Sequence, residues 1–339
     1  MTSHITLRRG ERGFTLLEFV VASVMSLTVA YFVYAVMIAQ TEAYRRQDLV
    51  LRMEQNLRFS TEFISRSVEM AGYGTNGWTV GADSYSAVNV IDGGGTTPDA
   101  IQVLYGDPSR VAITPYATTF TCDATFLNFQ TQEMAWYFLN AEYMLCFNYS
   151  NTVSLDSYLF SVDSVNTDTG DVNITTPSGS PDYDDLCDEN LPPDLMCAPA
   201  SWHLYYIDNT DDDDGGPGRP DRPMLMMRQS TGPIDTGPVV PSRDDFPLAE
   251  GIEHMDVQVC MTGSDCFFDT EWTETLDTAA TNSLRLIRIT LWGRSERPAR
   301  EQFASPWLNP LTGENDQYYR IASTTDMMVR NLRNMEGYN

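Results

Sequence analysis

The chain has 339 residues, 42% of them apolar, enough for one large or two ordinary domains with a real core and too apolar for a disordered tail. Twenty-one basic residues, all of them Arg, stand against 47 acidic ones, for a formal charge of −26. The absence of Lys excludes a lysine Schiff base and a Walker-type phosphate loop, and the negative charge makes duplex DNA and anionic lipid surfaces poor partners.

Residues 1–13, MTSHITLRRGERG, hold Arg8, Arg9 and Arg12 with one acid, Glu11, and lead straight into an apolar run from Phe14 to Ala39. A basic flank before such a run keeps the N-terminus on the cytoplasmic side. The run spans about 39 Å as a helix, more than the ~30 Å hydrocarbon core, so a single crossing of the inner membrane is expected. Glu18 lies inside it, where an ionised carboxylate is costly and is usually paired or functional.

From Gln40 to Ala71 the pattern turns amphipathic, with Val50, Met53, Leu57, Ile64 and Val68 on one stripe. The acid-to-Arg pairs Glu42/Arg46, Asp48/Arg52, Glu54/Arg58 and Glu62/Arg66 have the favourable i,i+4 orientation. With Gly72 and Gly74 as stop signals, the spacing predicts one helix over 14–71 whose second half carries a globular domain.

After Gly72 short β-prone runs follow: Ala100–Tyr105, Ala135–Leu139, Tyr143–Tyr149, Tyr158–Val162, Trp202–Ile207, Met224–Arg228, Ile252–Met261 and Ser283–Trp292. They predict an antiparallel sheet packed on the amphipathic half of the helix, an α+β arrangement. The polar stretches Asp92–Pro98, Asn166–Asp171 and Thr176–Asn190 are expected as loop insertions, where partner contacts would sit.

Cys122, Cys146, Cys187, Cys197, Cys260 and Cys266 all follow the membrane segment, and an even count in an oxidising compartment favours disulfides. Sequential pairing, Cys122–Cys146, Cys187–Cys197 and Cys260–Cys266, is the expected connectivity. A Cys/His metal site is disfavoured because no C-x-x-C occurs and His203 and His254 are isolated.

The acidic run Asp208–Gly216 puts Asp212, Asp214, Gly215 and Asp221 at the third, fifth, sixth and twelfth places of an EF-hand-like loop. Thr210 stands first and the bidentate Glu is absent, so an acidic hairpin tip is preferred to a Ca²⁺ site, and no other cofactor is expected. Arg219 and Arg222, beside that run, are expected to pair with it rather than to bind nucleic acid. No G-x-S-x-G, H-E-x-x-H or G-x-G-x-x-G occurs, and paired acids such as Asp184/Asp185 and Asp244/Asp245 are common in so acidic a chain, so catalysis is not expected.

Gly13-Phe14-Thr15-Leu16-Leu17-Glu18 after a short Arg-rich leader resembles the type III signal of type IV prepilins and pseudopilins. That resemblance implies cleavage between Gly13 and Phe14 by a prepilin peptidase, N-methylation of Phe14, and an assembly role for Glu18, which would pair with the Phe14 amine of a neighbouring subunit. Gln55-Asn56-Leu57-Arg58-Phe59 and Met70-Ala71-Gly72-Tyr73-Gly74 resemble the segment after the membrane helix in PilW-type minor pilins, although the Arg of the family pattern is replaced by Glu69 or lies earlier, at Arg66. Residues 250–259 and 284–291 look like late strands of that family, and Thr324-Thr325 with Val329-Arg330-Asn331-Leu332 looks like its C-terminal signature.

The resemblance implies a type IV pilin-like fold divided into a leader (1–13), a transmembrane and filament-core helix (14–39), its amphipathic continuation (40–74) and a periplasmic β-rich domain (75–339). It implies a minor pilin that primes assembly and sits at a pilus tip with other minor pilins, the major pilin and a tip adhesin, having started in the inner membrane. A type II secretion pseudopilin shares leader and helix and is the alternative; an adhesin or DNA-uptake subunit is the third, disfavoured for direct DNA capture by the charge.

Overall fold

The computed structural model describes residues 15–73, 79–80, 85–94, 97–114, 126–148, 157–175, 195–209, 222–230, 239, 242, 245–261, 266, 272–273, 284–296, 313 and 318–329. The chain divides into two units, Met1–Leu51 and Arg52–Asn339.

Helix α1 runs from Leu16 to Met70. No Gly or Pro interrupts residues 14–71, and Gly72, at φ 73°, takes the left-handed conformation that ends the helix. Its buried positions, Met53, Leu57, Ser60, Ile64, Ser67 and Val68, follow the expected stripe, with Ser60 and Ser67 as small residues that let strands approach. The expected helix-surface pair Glu62/Arg66 is present, at 2.5 Å.

The rest is β-rich. The strands are β1 Thr79–Val80, β2 Tyr85–Ser86, β3 Val88–Ile91, β4 Ala100–Gly106, β5 Ala112–Ile113, β6 Phe126–Asn128, β7 Tyr143–Asn148, β8 Ser157–Asn166 and β9 Asp171–Thr175. They continue with β10 Leu195–Asp208, β11 Met224–Ser230, β12 Phe246–Glu250, β13 Ile252–Met261, β14 Leu284–Arg294 and β15 Arg320–Met328. Between β6 and β7 lie a short helix, α2 Gln132–Ala135, and a 3-10 turn, Trp136–Phe138.

All ladders among the described residues are antiparallel. Strand β10 is the spine of the large sheet: Leu195–Pro199 pairs with β7, and Ala200–Tyr205 with β4 and Trp202–Asp208 with β11. A separate sheet has the order β13-β14-β15. In β13 and β14 alternate residues, Met255, Val257 and Val259 against Ile287, Ile289 and Leu291, are buried, so these two β-prone runs share an inner face.

Those residues, Ile101 and Val103 of β4, Tyr205 of β10 and Met327 of β15 form one core with Leu57, Ile64 and Val68 of α1 and Ala71 just beyond its end. Each such fully buried aliphatic chain contributes about 1.5–3 kcal/mol. A second core, under β5 to β9, is made by Leu127, Phe129, Ala135, Phe138, Met144, Phe160 and Val172 with Cys146 and Cys197. The α+β arrangement expected from the sequence is thus present.

Two expectations are corrected. Ala135–Leu139 is not a strand but the end of α2 and the 3-10 turn: Ala135 and Phe138, three apart, are buried while Trp136, Tyr137 and Leu139 are exposed, which is helical spacing. Cys146 pairs with Cys197, not with Cys122, because the two stand opposite each other in the β7–β10 ladder; Cys187–Cys197 is excluded by the same bond. Arg222 pairs with Glu250 and Glu296, while residues 210–221 of the acidic run expected to meet it lie outside the described residues. The third expected bridge, Cys260–Cys266, is present. Cys122, Cys187, Asp212, Asp214, Asp221 and Arg219 lie outside the described residues.

Candidate assembly segment and helix anchor

Between Thr15 and Thr41 the only charged residue is Glu18. Thr15 and Glu18 form a capping box: the Thr15 backbone N–H and Oγ1 hydroxyl donate to Glu18 Oε2, both at 3.0 Å, and the Glu18 N–H donates to Thr15 Oγ1 at 3.3 Å. The T-x-x-E spacing that signals this motif is visible in the sequence. The carboxylate satisfies helix-start donors through one oxygen, and Gly13 and Phe14 lie outside the described residues.

The segment after Glu18 is exposed along its length, with Phe19, Met25, Leu27, Phe32 and Met37 each at least 60% accessible. It is long and apolar enough to cross a membrane, and none of its most apolar window is buried. Three of its hydroxyls bond back within the helix: Ser23 donates to the Phe19 carbonyl, Thr28 to Val24 and Thr41 to Met37, each at 2.8 Å. Such back-bonding removes the polar groups that an apolar environment would penalise.

The other end of α1 is anchored by the residues that carried the family resemblance. Asn56 Nδ2 donates to the Glu250 carbonyl at 2.8 Å, joining the Gln55–Phe59 patch to the start of the 250–259 patch. Leu57 lies over Gly293 of β14, where an added Cβ would come within 3.2 Å of its methyl group. Beyond the helix end, Gly72 N–H donates to the Leu104 carbonyl at 3.0 Å and Gly106 N–H to the Tyr73 carbonyl at 2.8 Å, so Ala71-Gly72-Tyr73 is stitched to β4. Arg58 and Phe59 point to solvent.

A buried polar relay adds to this anchor. Ser67 Oγ and Tyr205 Oη are 2.6 Å apart, Tyr205 Oη is 3.3 Å from His203 Nδ1, and His203 Nε2 is 3.1 Å from Tyr105 Oη. Burial pushes the His203 imidazole down to about 4 and, with a smaller effect from Asp107, the Tyr105 phenol up to about 12. Both rings are neutral at pH 7, as a relay of shared protons requires.

Two ion-pair clusters close the sheets. Glu253 accepts from the fully buried Arg320 and lies 3.7 Å from Arg294 Nε, tying together β13, β14 and β15. Asp245 accepts from Arg228 at 2.9 and 2.8 Å, from Tyr206 Oη at 2.5 Å and from Ser242 N–H at 2.9 Å. Burial works against its charge, but those donors outweigh it and hold the carboxyl below the usual range. These groups are saturated by each other and build structure rather than chemistry. Among the described residues, no three His, Cys, Asp or Glu side chains form a cluster able to hold a metal ion.

No family model matches the chain, and no curated protein matches it. Among solved structures it is similar to a type IV-like pilin from Thermus thermophilus, with a TM-score of 0.37 and 10% identity over 83% of this chain and 97% of that one.

Proposed function

We propose that the chain is a minor pilin of the PilW type, a structural subunit that helps prime assembly of a type IV pilus and sits in its tip complex. The observation that carries this reading is an unbroken helix whose first half is apolar and exposed with one carboxylate near its start, and whose second half is the core element of a disulfide-bonded β-domain. A soluble enzyme has no use for such an exposed segment; a subunit that moves from lipid into a filament core does.

In this reading a prepilin peptidase cuts between Gly13 and Phe14, and the chain waits in the inner membrane with its β-domain in the periplasm. The capping box makes Glu18 tolerable there, and among the described residues Oε1 is left to an incoming group. On docking, the Glu18 carboxylate meets the Phe14 amine of a neighbouring subunit, and two groups that are each costly in an apolar medium neutralise one another and set axial register. The major pilin, other minor pilins and a tip adhesin are the partners; no cofactor takes part.

The test is mass spectrometry of the N-terminal peptide from sheared filaments, in cells with and without the prepilin peptidase. Because the chain has no Lys, the α-amine is its single target for amine-reactive labelling. Methylated Phe14 in the sheared fraction is expected. An intact Met1 leader confined to membranes would overturn the proposal and leave a membrane-anchored periplasmic domain.

A further inference from the structure

Residues 111–202, which span β5 to β9, α2 and most of β10, contain thirteen Asp and Glu and no Arg, Lys or His. The described residues of this stretch include Glu133, Glu142, Asp163, Asp168 and Asp171, and no cation stands among them, so the described lobe is anionic. Its described part has its own core, closed by Cys146–Cys197.

On this lobe the 3-10 turn leaves Trp136 59%, Leu139 52% and Tyr137 37% exposed. The turn is nonetheless rigidly seated: Phe138 is fully buried and stacked on Phe129, with centroids 5.1 Å and planes 13° apart, and Ala135 is fully buried. Gln132 Nε2 ties its start to the Asp168 carbonyl at 2.8 Å. Solvent exposure of a preorganised Trp and Tyr wastes their apolar area unless something covers them, and such rigid aromatics are the usual anchors of protein interfaces. The exposed carboxylates of Glu133 and Glu142 flank the turn in sequence.

We propose that this lobe is a docking module for another protein, and that the Trp136 turn inserts into an apolar hollow rimmed by Arg and Lys. Charge complementarity selects that occupant. Nucleic acid and anionic lipid are repelled by the lobe's field, whereas a cationic rim gains long-range attraction and, at the indole face, a cation–π contact. The inference is independent of the filament reading, because it uses no residue of the N-terminal helix.

The missing Lys supplies a clean test. A carbodiimide joins carboxylates to amines, so a linkage from this chain's acids reports a lysine of another protein, and copy-to-copy links can form only through the terminal amine. In intact cells producing the full chain, amide links from Glu133 or Glu142 to lysines clustered on one other protein are expected. They should fall about tenfold or more in a W136A/L139A variant that retains the Cys146–Cys197 bond on non-reducing peptide maps, remain in W136F, and weaken as salt is raised. Absence of links at Glu133 and Glu142, links unchanged by W136A/L139A, links scattered over many unrelated proteins, or links only to the terminal amine of a second copy would each overturn the proposal.

Discussion

At the scale of single residues, two groups carry measurable consequences. Glu18 acts locally through hydrogen bonds and, in the proposed assembly, through charge, and these can be separated. Glu18→Gln keeps an acceptor for the Thr15 donors but removes the charge. The expected outcome is a variant that reaches the membrane at normal level and is depleted at least tenfold from sheared filaments, read by quantitative immunoblotting; normal incorporation would show that the charge is not needed. His203 concerns stability. Its proton affinity is depressed from 6.5 to about 4 by burial, so the unfolded chain binds the proton more readily than the folded one. Stability from this site is complete above about pH 6.5 and is lost as pH falls towards 4, an effect on the order of 3 kcal/mol. Denaturant midpoints in detergent between pH 4 and 7 should therefore fall more steeply for the parent than for His203→Gln; parallel curves would exclude His203 as the cause.

Elements are joined by pairings that cross large sequence distances. Arg320 is fully buried and depends on Glu253, so Glu253→Gln should cost about 3–5 kcal/mol in urea unfolding, more than Glu250→Gln on the surface. A double replacement, Glu253→Leu with Arg320→Met, should recover much of that loss, since the pair's worth lies in mutual compensation. The Cys146–Cys197 bridge fixes the β7–β10 register on the lobe side of Pro199. Non-reducing peptide maps should return Cys146–Cys197 and Cys260–Cys266, and replacing both Cys146 and Cys197 by Ser should cost about 2–4 kcal/mol.

For the whole molecule, the fully buried helix positions begin at Met53. A chain starting at Arg52 retains each of them and discards the exposed apolar segment. It should stay monomeric without detergent and melt cooperatively with both described disulfides intact, whereas the full chain should need detergent or lipid; aggregation of the shortened chain on size-exclusion chromatography would show that residues before 52 belong to the fold.

Much of this was legible in the residues. The long helix, its buried stripe, its end at Gly72 and the inward faces of β13 and β14 follow from periodicities of 3.6 and 2 and from a left-handed glycine, all local properties of the backbone. The exposed apolar segment with its single carboxylate, and the surplus of acid over base, are matters of composition, which no packing can alter. What tertiary structure alone decided is of another kind. Cys146 faces Cys197 because β10 pairs with β7 across fifty-one residues. Arg222 found Glu250 and Glu296, and Asn56 found the Glu250 carbonyl 194 residues away. The apolar run at Ala135–Leu139 fits strand or helix equally well until a core exists for Ala135 and Phe138 to enter together. Such choices depend on which distant segment arrives alongside, and a one-dimensional pattern of apolar and polar residues carries the period of each element but not the identity of its neighbour.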